Sequence, residues 1–204
     1  RRHSSAASDV YKRQGLATAI KLKQLSKETN KDISVCILEK GSEIGAHILS
    51  GAVIETKSIS ELIPNWKETD IPLKTKAKKD SFFYLTKEKS YKLPTPPQMD
   101  NHGNYITSLG KLCAWLGQYA ENLGVEIYPG FAASEILYNT DGSVLGVATN
   151  DMGVLKDGSK GPNYEPGIEL IAKQTIFSEG CRGHLGKDLM KKFDLNKNNQ
   201  NQTY

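Results

Sequence analysis

The chain has 204 residues, of which 38% are hydrophobic and 25% charged. That balance, with a mean hydropathy of -0.48, excludes a disordered tail, a collagen-like repeat and a disulfide-dense scaffold, and leaves one good-sized domain or part of a larger one. No stretch approaches the roughly 18 consecutive apolar residues of a transmembrane helix. The formal charge of +4 is concentrated at the start, where Arg1, Arg2, Lys12 and Arg13 face only Asp9. Without that segment the chain is nearly neutral and lacks the basic footprint of a nucleic-acid binder.

Residues 1–14 (RRHSSAASDVYKRQ) carry no apolar period, no signal-peptide core and no initiator methionine, and read as an artefactual or unstructured leader. Residues 15–30 place Leu16, Ala19, Ile20 and Leu25 on one side of an amphipathic helix that Asn30 ends. ISVCILE at 33–39 is the continuous run of a parallel strand buried on both faces. Helix and strand make the second half of a βαβ unit whose first strand, expected before Gly15, is missing. Residues 40–51 hold Gly41, Gly45 and Gly51 and predict an ordered loop. A short helix follows at 58–64, stopped by Pro64, and then a lysine-rich surface connection at 65–80.

Residues 82–99 predict a hairpin, two aromatic arms around a charged tip, with prolines holding its second arm at an edge. The strongest helix is 107–124, with Leu109, Leu112, Cys113, Leu116, Ala120 and Leu123 on one face and Gly124 at its stop. A strand at 125–130, a hairpin at 133–151 around Asp141-Gly142, a strand at 167–180 and a closing helix at 184–193 complete the series. Alternating helical and strand periods define an α/β protein with an antiparallel insertion. Cys36, Cys113 and Cys181 stand 77 and 68 residues apart with no CxxC pair. Neither a disulfide framework nor a zinc or iron-sulfur site can be read from that spacing, and the three are expected to be small buried hydrophobes.

The chemistry begins with Gly15, which opens a helix, and Glu39, which closes a buried strand 24 positions later. In a dinucleotide-binding unit the helix N-terminus faces a pyrophosphate, and an acid about 20 residues on hydrogen-bonds a ribose. Gly15 fits the third glycine of G-x-G-x-x-G, but the first two positions hold Val10 and Lys12. Half a fingerprint is equally the mark of any helix and strand in an α/β domain.

The longer text is more specific. GLATAIKLKQL, VCILEKGSEIGAHILSGAVI, ELIPNWKE, NHGNYITSLGKL, GVEIYPGFAASEILYNTDGSVLGVATND and TIFSEGCRGHLGKDLMKKFDL occur in this order from Gly15 to Tyr204. In these segments the chain resembles the electron transfer flavoprotein–ubiquinone oxidoreductase family. The resemblance implies a Rossmann-like FAD-binding fold of the glutathione-reductase type with an antiparallel β insertion, incomplete at both ends. A strand and glycine loop would precede Gly15 and further chain would follow Tyr204, making this an internal fragment. The implied divisions are a leader at 1–14, an FAD-binding part at 15–80 lacking its first strand, a quinone- and membrane-facing segment at 81–106, the continued FAD-binding domain at 107–195, and a truncated tail at 196–204.

Residue by residue, the resemblance puts Gly15 and Leu16 by the FAD pyrophosphate and Glu39 with Lys40 at the adenosine ribose. It puts Gly45, Ala46, His47, Ser50 and Gly51 in a loop running toward the flavin ring. Glu179, Gly180 and Cys181 fall in a second glycine turn, where Gly183 either makes a turn or touches the cofactor. His102 is structural. No protein side chain is catalytic, because flavin carries the electrons. Phe82, Phe83, Tyr84, Leu85, Tyr91, Leu93 and Met99 form the quinone- and membrane-facing hairpin, with Lys87, Lys89 and Lys92 at headgroup level. TPPQ at 95–98 replaces a more apolar run and makes that contact shallow.

The implied function passes electrons from reduced electron transfer flavoprotein, through FAD and a [4Fe-4S] cluster, to ubiquinone. The cluster ligands would lie outside this chain. The implied location is peripheral, on the cytoplasmic face of a bacterial inner membrane or the matrix face of the mitochondrial one. Two other readings stand beside it: an FAD enzyme of the same superfamily, such as an aromatic hydroxylase or prenyl reductase, and a catalytically inert partial polypeptide. GAHILSG, NHGNY and SEGCRGHL favour the quinone enzyme. Lys12, which denies the close backbone approach that glycine gives, points to weak FAD binding by the chain as it stands.

Overall fold

The structure, a computed structural model, describes residues 5–8, 12–46, 48, 51–180 and 183–197. In chain order its elements are β1 (Ser5–Ser8), α1 (Lys12–Glu28), β2 (Val35–Glu39), β3 (Gly51–Ile54), α2 (Lys57–Leu62), β4 (Thr75–Lys76), β5 (Phe82–Leu85), β6 (Ser90–Leu93) and β7 (Tyr105–Ser108). There follow α3 (Leu109–Asn122), β8 (Glu126–Pro129), β9 (Ala133–Tyr138), β10 (Val144–Thr149), β11 (Met152–Val154), β12 (Lys160–Glu165), β13 (Glu169–Ile171), β14 (Thr175–Phe177) and α4 (His184–Lys192). They group into two compact units, Arg1–Ala46 with Leu116–Tyr204, and His47–Trp115. The boundaries therefore differ from the expected divisions at 80/81 and 106/107, and the second falls inside α3.

The first unit is built on a parallel sheet of order β14-β1-β2-β8. Every residue of β2 is buried, as the apolar run at 33–39 requires. Leu16, Ala19 and Ile20 of α1 are buried as well, whereas Leu25, expected on the same face, is exposed. Helix α1 ends at Glu28, and two residues on, Asn30 takes a left-handed φ of 51°. The buried Ser26 then secures the turn: its hydroxyl donates to the Lys31 carbonyl at 2.5 Å and accepts from the Ile33 amide at 3.3 Å.

The main correction concerns the first strand. Ser5–Ser8 is a strand, pairing in parallel with β2 through Ser8↔Leu38 and with β14 through Ser8↔Phe177. The segment read as an artefactual leader thus supplies the strand read as missing, and α1 begins at Lys12, also inside it. Serine and alanine have little strand preference of their own. An interior position with ladder hydrogen bonds on both sides outweighs that preference, because buried backbone groups must be paired.

A second sheet, antiparallel and ordered β13-β10-β9, carries the expected hairpin around Asp141-Gly142. Ile136, Val147 and Leu170 from this sheet pack with Cys36 and Leu38 of β2 and Leu185 of α4 in one buried cluster. The strand expected at 167–180 is two strands in two sheets, β13 in the antiparallel and β14 in the parallel one. The change of sheet occurs after Ala172, whose N–H still donates to the Leu145 carbonyl. The antiparallel pair β11 and β12 was not expected.

In the second unit β3, β7 and β4 form an antiparallel sheet. Residues 107 and 108, expected in the helix, belong to β7. The stretch 65–80 is not a surface connection, because Trp66, Ile71, Leu73 and Ala77 are core residues. Trp66 stands edge-on to Tyr105 at 5.5 Å between ring centroids and donates its indole N–H to Ser60 Oγ at 2.9 Å. Strands β5 and β6 pair as the expected hairpin. Its base is closed by Asp80, whose carboxylate accepts from the Asn101 backbone N–H at 2.9 Å and from the Asn101 Nδ2 at 3.1 Å.

Those two hydrogen bonds lower the Asp80 pKa below the ordinary 3.8. A depressed carboxylate pKa means that the contribution of this clasp is complete above the unfolded value and is lost as pH falls through the folded one. The protection factor of the Asn101 amide, its exchange measured against the intrinsic rate at the same pH, should therefore be steady near neutral pH and fall on acidification below about 3.8. In Asp80→Ala, which removes the acceptor, protection should be low at every pH. A flat profile in the parent chain would disprove the clasp.

Candidate functional site at the carboxyl edge of the parallel sheet

Strand β1 leads through α1 to β2 on one side, while β14 arrives from late in the chain on its other side. Such a reversal of strand order opens a crevice at the carboxyl ends of the strands, the place where α/β folds bind their ligands. Because the strands are parallel and in register, Ser8, Glu39, Pro129 and Ser178 all come to this one edge. The expected Glu39 and the expected turn at Glu179-Gly180 are thereby brought together.

Glu39 is buried, and its carboxylate is oriented by the Gly41 N–H, which donates to Oε1 at 2.6 Å. Gly41 is held in turn, its carbonyl accepting from the Gly130 N–H beyond β8 at 2.8 Å. Lys40 is exposed. Gly15 lies in the first turn of α1 rather than at its opening, and it is buried. Among the described residues, the N–H groups without an acceptor inside the helix are therefore those of Lys12, Arg13 and Gln14. Leu16 turns its side chain into the core.

Gly45 has a φ of 93°, a left-handed conformation that suits glycine. It closes a turn in which the Ala46 N–H donates to the Glu43 carbonyl at 3.2 Å. A contact not foreseen fixes this loop: a Cβ on Gly117 of α3 would lie 2.9 Å from Ile44 Cδ1 and 3.2 Å from its Cγ2. The signal was present as a glycine in the middle of an otherwise strong helix. Gly51 opens β3 in the second unit. His47, Ser50 and Cys181 lie outside the described residues.

Glu179 is 5% exposed. It accepts the Gly186 N–H in the first turn of α4 at 2.6 Å, and His184 Nδ1 lies 3.7 Å from it. A negative group held by a first-turn amide is stabilised by that bond and by the helix dipole. Gly183 is explained by the same acid, because a Cβ there would fall 2.2 Å from Glu179 Cβ. Of the two readings left open for Gly183, the structure supplies a packing reason.

No protein-family model matches the chain. Among solved structures it is similar to a geranylgeranyl bacteriochlorophyll reductase-like protein from Thermoplasma acidophilum, with a TM-score of 0.56 and 16% identity over 87% of this chain and 39% of that one. It is also similar to CtdE in complex with FAD, with a TM-score of 0.53 and 17% identity over 92% of this chain and 41% of that one. These likenesses show a Rossmann-like α/β fold of the kind found in FAD-dependent enzymes.

The sequence comparisons go further. The chain is 57% identical over 190 residues to the mitochondrial electron transfer flavoprotein–ubiquinone oxidoreductase of Dictyostelium discoideum, covering 93% of this chain and 31% of that protein. It is 54% identical over 195 residues to the probable electron transfer flavoprotein–ubiquinone oxidoreductase of Acinetobacter baylyi, covering 93% of this chain and 34% of that protein. The chain is thus similar to this family of oxidoreductases along nearly its whole length, and spans about a third of the length of the curated relatives it matches.

Two measurements test the edge. Gly117→Val should lower stability by about 1–3 kcal/mol through overpacking against Ile44, and Ile44→Ala in the same chain should recover part of it. Strict additivity in denaturant unfolding would disprove the contact. Glu179→Ala should cost about 1–2 kcal/mol by leaving a helix amide unsatisfied. Glu179→Gln, which keeps a carbonyl acceptor, should cost less.

Proposed function

We propose that the chain is the FAD-binding part of an enzyme that passes electrons from reduced electron transfer flavoprotein, through FAD and a [4Fe-4S] cluster, to ubiquinone. The observation that carries this reading is identity above one half along 93% of the chain to proteins bearing that name. The fold agrees with it. A buried acid ends β2 beside the α1 N-terminus, an arrangement that suits an adenosine ribose and a pyrophosphate. Bound FAD would supply the redox chemistry, and the chain would bind and orient it.

Within this proposal Glu39 receives ribose hydroxyls, aligned by Gly41, with Lys40 at the rim. Gly15, with Leu16 next to it, sets the approach of α1 to the pyrophosphate. Gly45, Ala46, His47, Ser50 and Gly51 form the loop toward the flavin ring. Glu179, Gly180 and Cys181 form the second turn, where Glu179 acts by fixing α4. The superfamily is the glutathione-reductase type, with β9, β10 and β13 as its antiparallel insertion. The proposed cluster would have its ligands outside this chain.

The hairpin carries the proposed membrane and quinone face. Phe83, Tyr84, Leu85, Tyr91, Leu93 and Met99 are all exposed, Leu85 to 71%, and Phe82 is half-buried. No helix among the described residues is long and apolar enough to cross a membrane. The proposed attachment is peripheral, at a mitochondrial or bacterial inner membrane, through an apolar surface flanked by lysines.

A chimera tests the proposal. The matching third of the Dictyostelium relative is replaced by this chain, and ubiquinone reduction by reduced electron transfer flavoprotein is measured. Activity supports the reading, while a chimera that retains FAD but no quinone reduction moves it to another FAD enzyme. In a second test Val10→Gly/Lys12→Gly should tighten FAD binding at least about tenfold in a fluorescence titration, because glycine permits close backbone approach to the pyrophosphate. Unchanged affinity would remove the pyrophosphate from this loop.

A further inference from the structure

The second unit holds a cavity of about 450 Å³ that neither the flavin edge nor the hairpin uses. Its floor includes the rings of Trp66 and Tyr105, and Lys67, Lys74, Lys76 and Lys78 surround it. The Lys67 ammonium stands 5.7 Å from the Trp66 ring centroid, and the Lys76 ammonium stands 5.7 Å from that of Tyr105. Lys74 Nζ donates to the Thr69 carbonyl at 3.4 Å. Among the described residues none of these four lysines makes an ion pair, and no carboxylate lines the cavity.

Four cations around an aromatic floor leave an unbalanced positive field over an apolar surface. The ligand that complements both is an amphipathic anion, with its charge among the ammonium groups and its apolar part on the rings. The chain itself indicates the source. Lys76 ends β4 and Lys78 follows, and β5 begins at Phe82, so the lysines lead directly into the exposed aromatic hairpin.

We infer that this cavity receives the phosphate headgroup of an anionic phospholipid, adding a charge-selective contact to the apolar one made by the hairpin. The inference rests on the proposed membrane-facing role of that hairpin. Lysines near an anionic membrane each contribute a factor of about five in binding, and this contribution is screened by salt.

The experiment is sedimentation of the chain with phosphatidylcholine vesicles and with vesicles that also contain phosphatidylglycerol. Lys74→Gln/Lys76→Gln/Lys78→Gln removes three exposed side chains and should weaken the preference for phosphatidylglycerol on the order of a hundredfold, leaving what Lys67 and the hairpin lysines contribute. Binding to phosphatidylcholine should stay unchanged. In a Trp115→Phe chain, which leaves Trp66 as the remaining one of two tryptophans, brominated phosphatidylglycerol should quench Trp66 emission, and the three lysine substitutions should relieve that quenching.

An undiminished phosphatidylglycerol preference in the triple variant would overturn the inference while leaving the hairpin reading intact. Saturable quenching of Trp66 by inorganic phosphate without vesicles would assign the cavity to free phosphate and overturn the lipid source. Tyr84→Ser/Leu85→Ser should lose binding to both kinds of vesicle. Undiminished binding to phosphatidylcholine would sink the hairpin reading itself, and this inference with it.

Discussion

Pairing of Ser5–Ser8 between β2 and β14 is the constraint on which the first unit depends. It joins the earliest described segment to one that arrives more than 160 residues later, and loop closure over that distance costs only slowly more than over a shorter one. The pairing sets the reversal of strand order and hence the crevice. It also brings Glu39, Gly130 and Glu179 to one edge although they are scattered along the chain. Removing this strand would leave β2 with one ladder and separate α1 from the sheet position that aims its N-terminus.

Two buried acids at that edge are handled in the same physical way. A carboxylate taken out of water is costly unless hydrogen-bonded, and each here accepts a backbone N–H at 2.6 Å, Glu39 from Gly41 and Glu179 from Gly186. Backbone donors are fixed by the fold, so both carboxylates are oriented in advance of any ligand. Glu179 also determines Gly183 by occupying the space of its missing Cβ. A turn that reads in sequence as a glycine-rich cofactor loop is thus partly a packing solution for one buried acid.

Periodicity made β2, α1, α3 and the 133–151 hairpin legible, because their apolar residues repeat at helical or strand spacing. It could not reveal β1, whose serines and alanines carry no apolar signal and which exists through its partners. Trp66, Ile71 and Leu73 were hidden among lysines at irregular spacing, so a core segment looked like a surface connection. Nothing but Lys173-Gln174 marks the point where 167–180 changes sheets. At the site, Glu39 was visible as an acid ending a buried strand. The contacts of Gly117 with Ile44 and of Gly130 with Gly41 were not, because they depend on which distant elements meet.

The second unit separates stability from exposure. A two-stranded hairpin alone is marginal in water, and β5 and β6 leave most of their large apolar side chains in solvent. Asp80 and Asn101 flank that segment in sequence and bind each other at its base, while Trp66 and Tyr105 provide a core elsewhere in the unit. The arms are therefore held in place without burying their own aromatic surface. The membrane-facing role proposed for the hairpin would draw on this exposed apolar face, and the proposed headgroup site on the lysines that precede it in sequence.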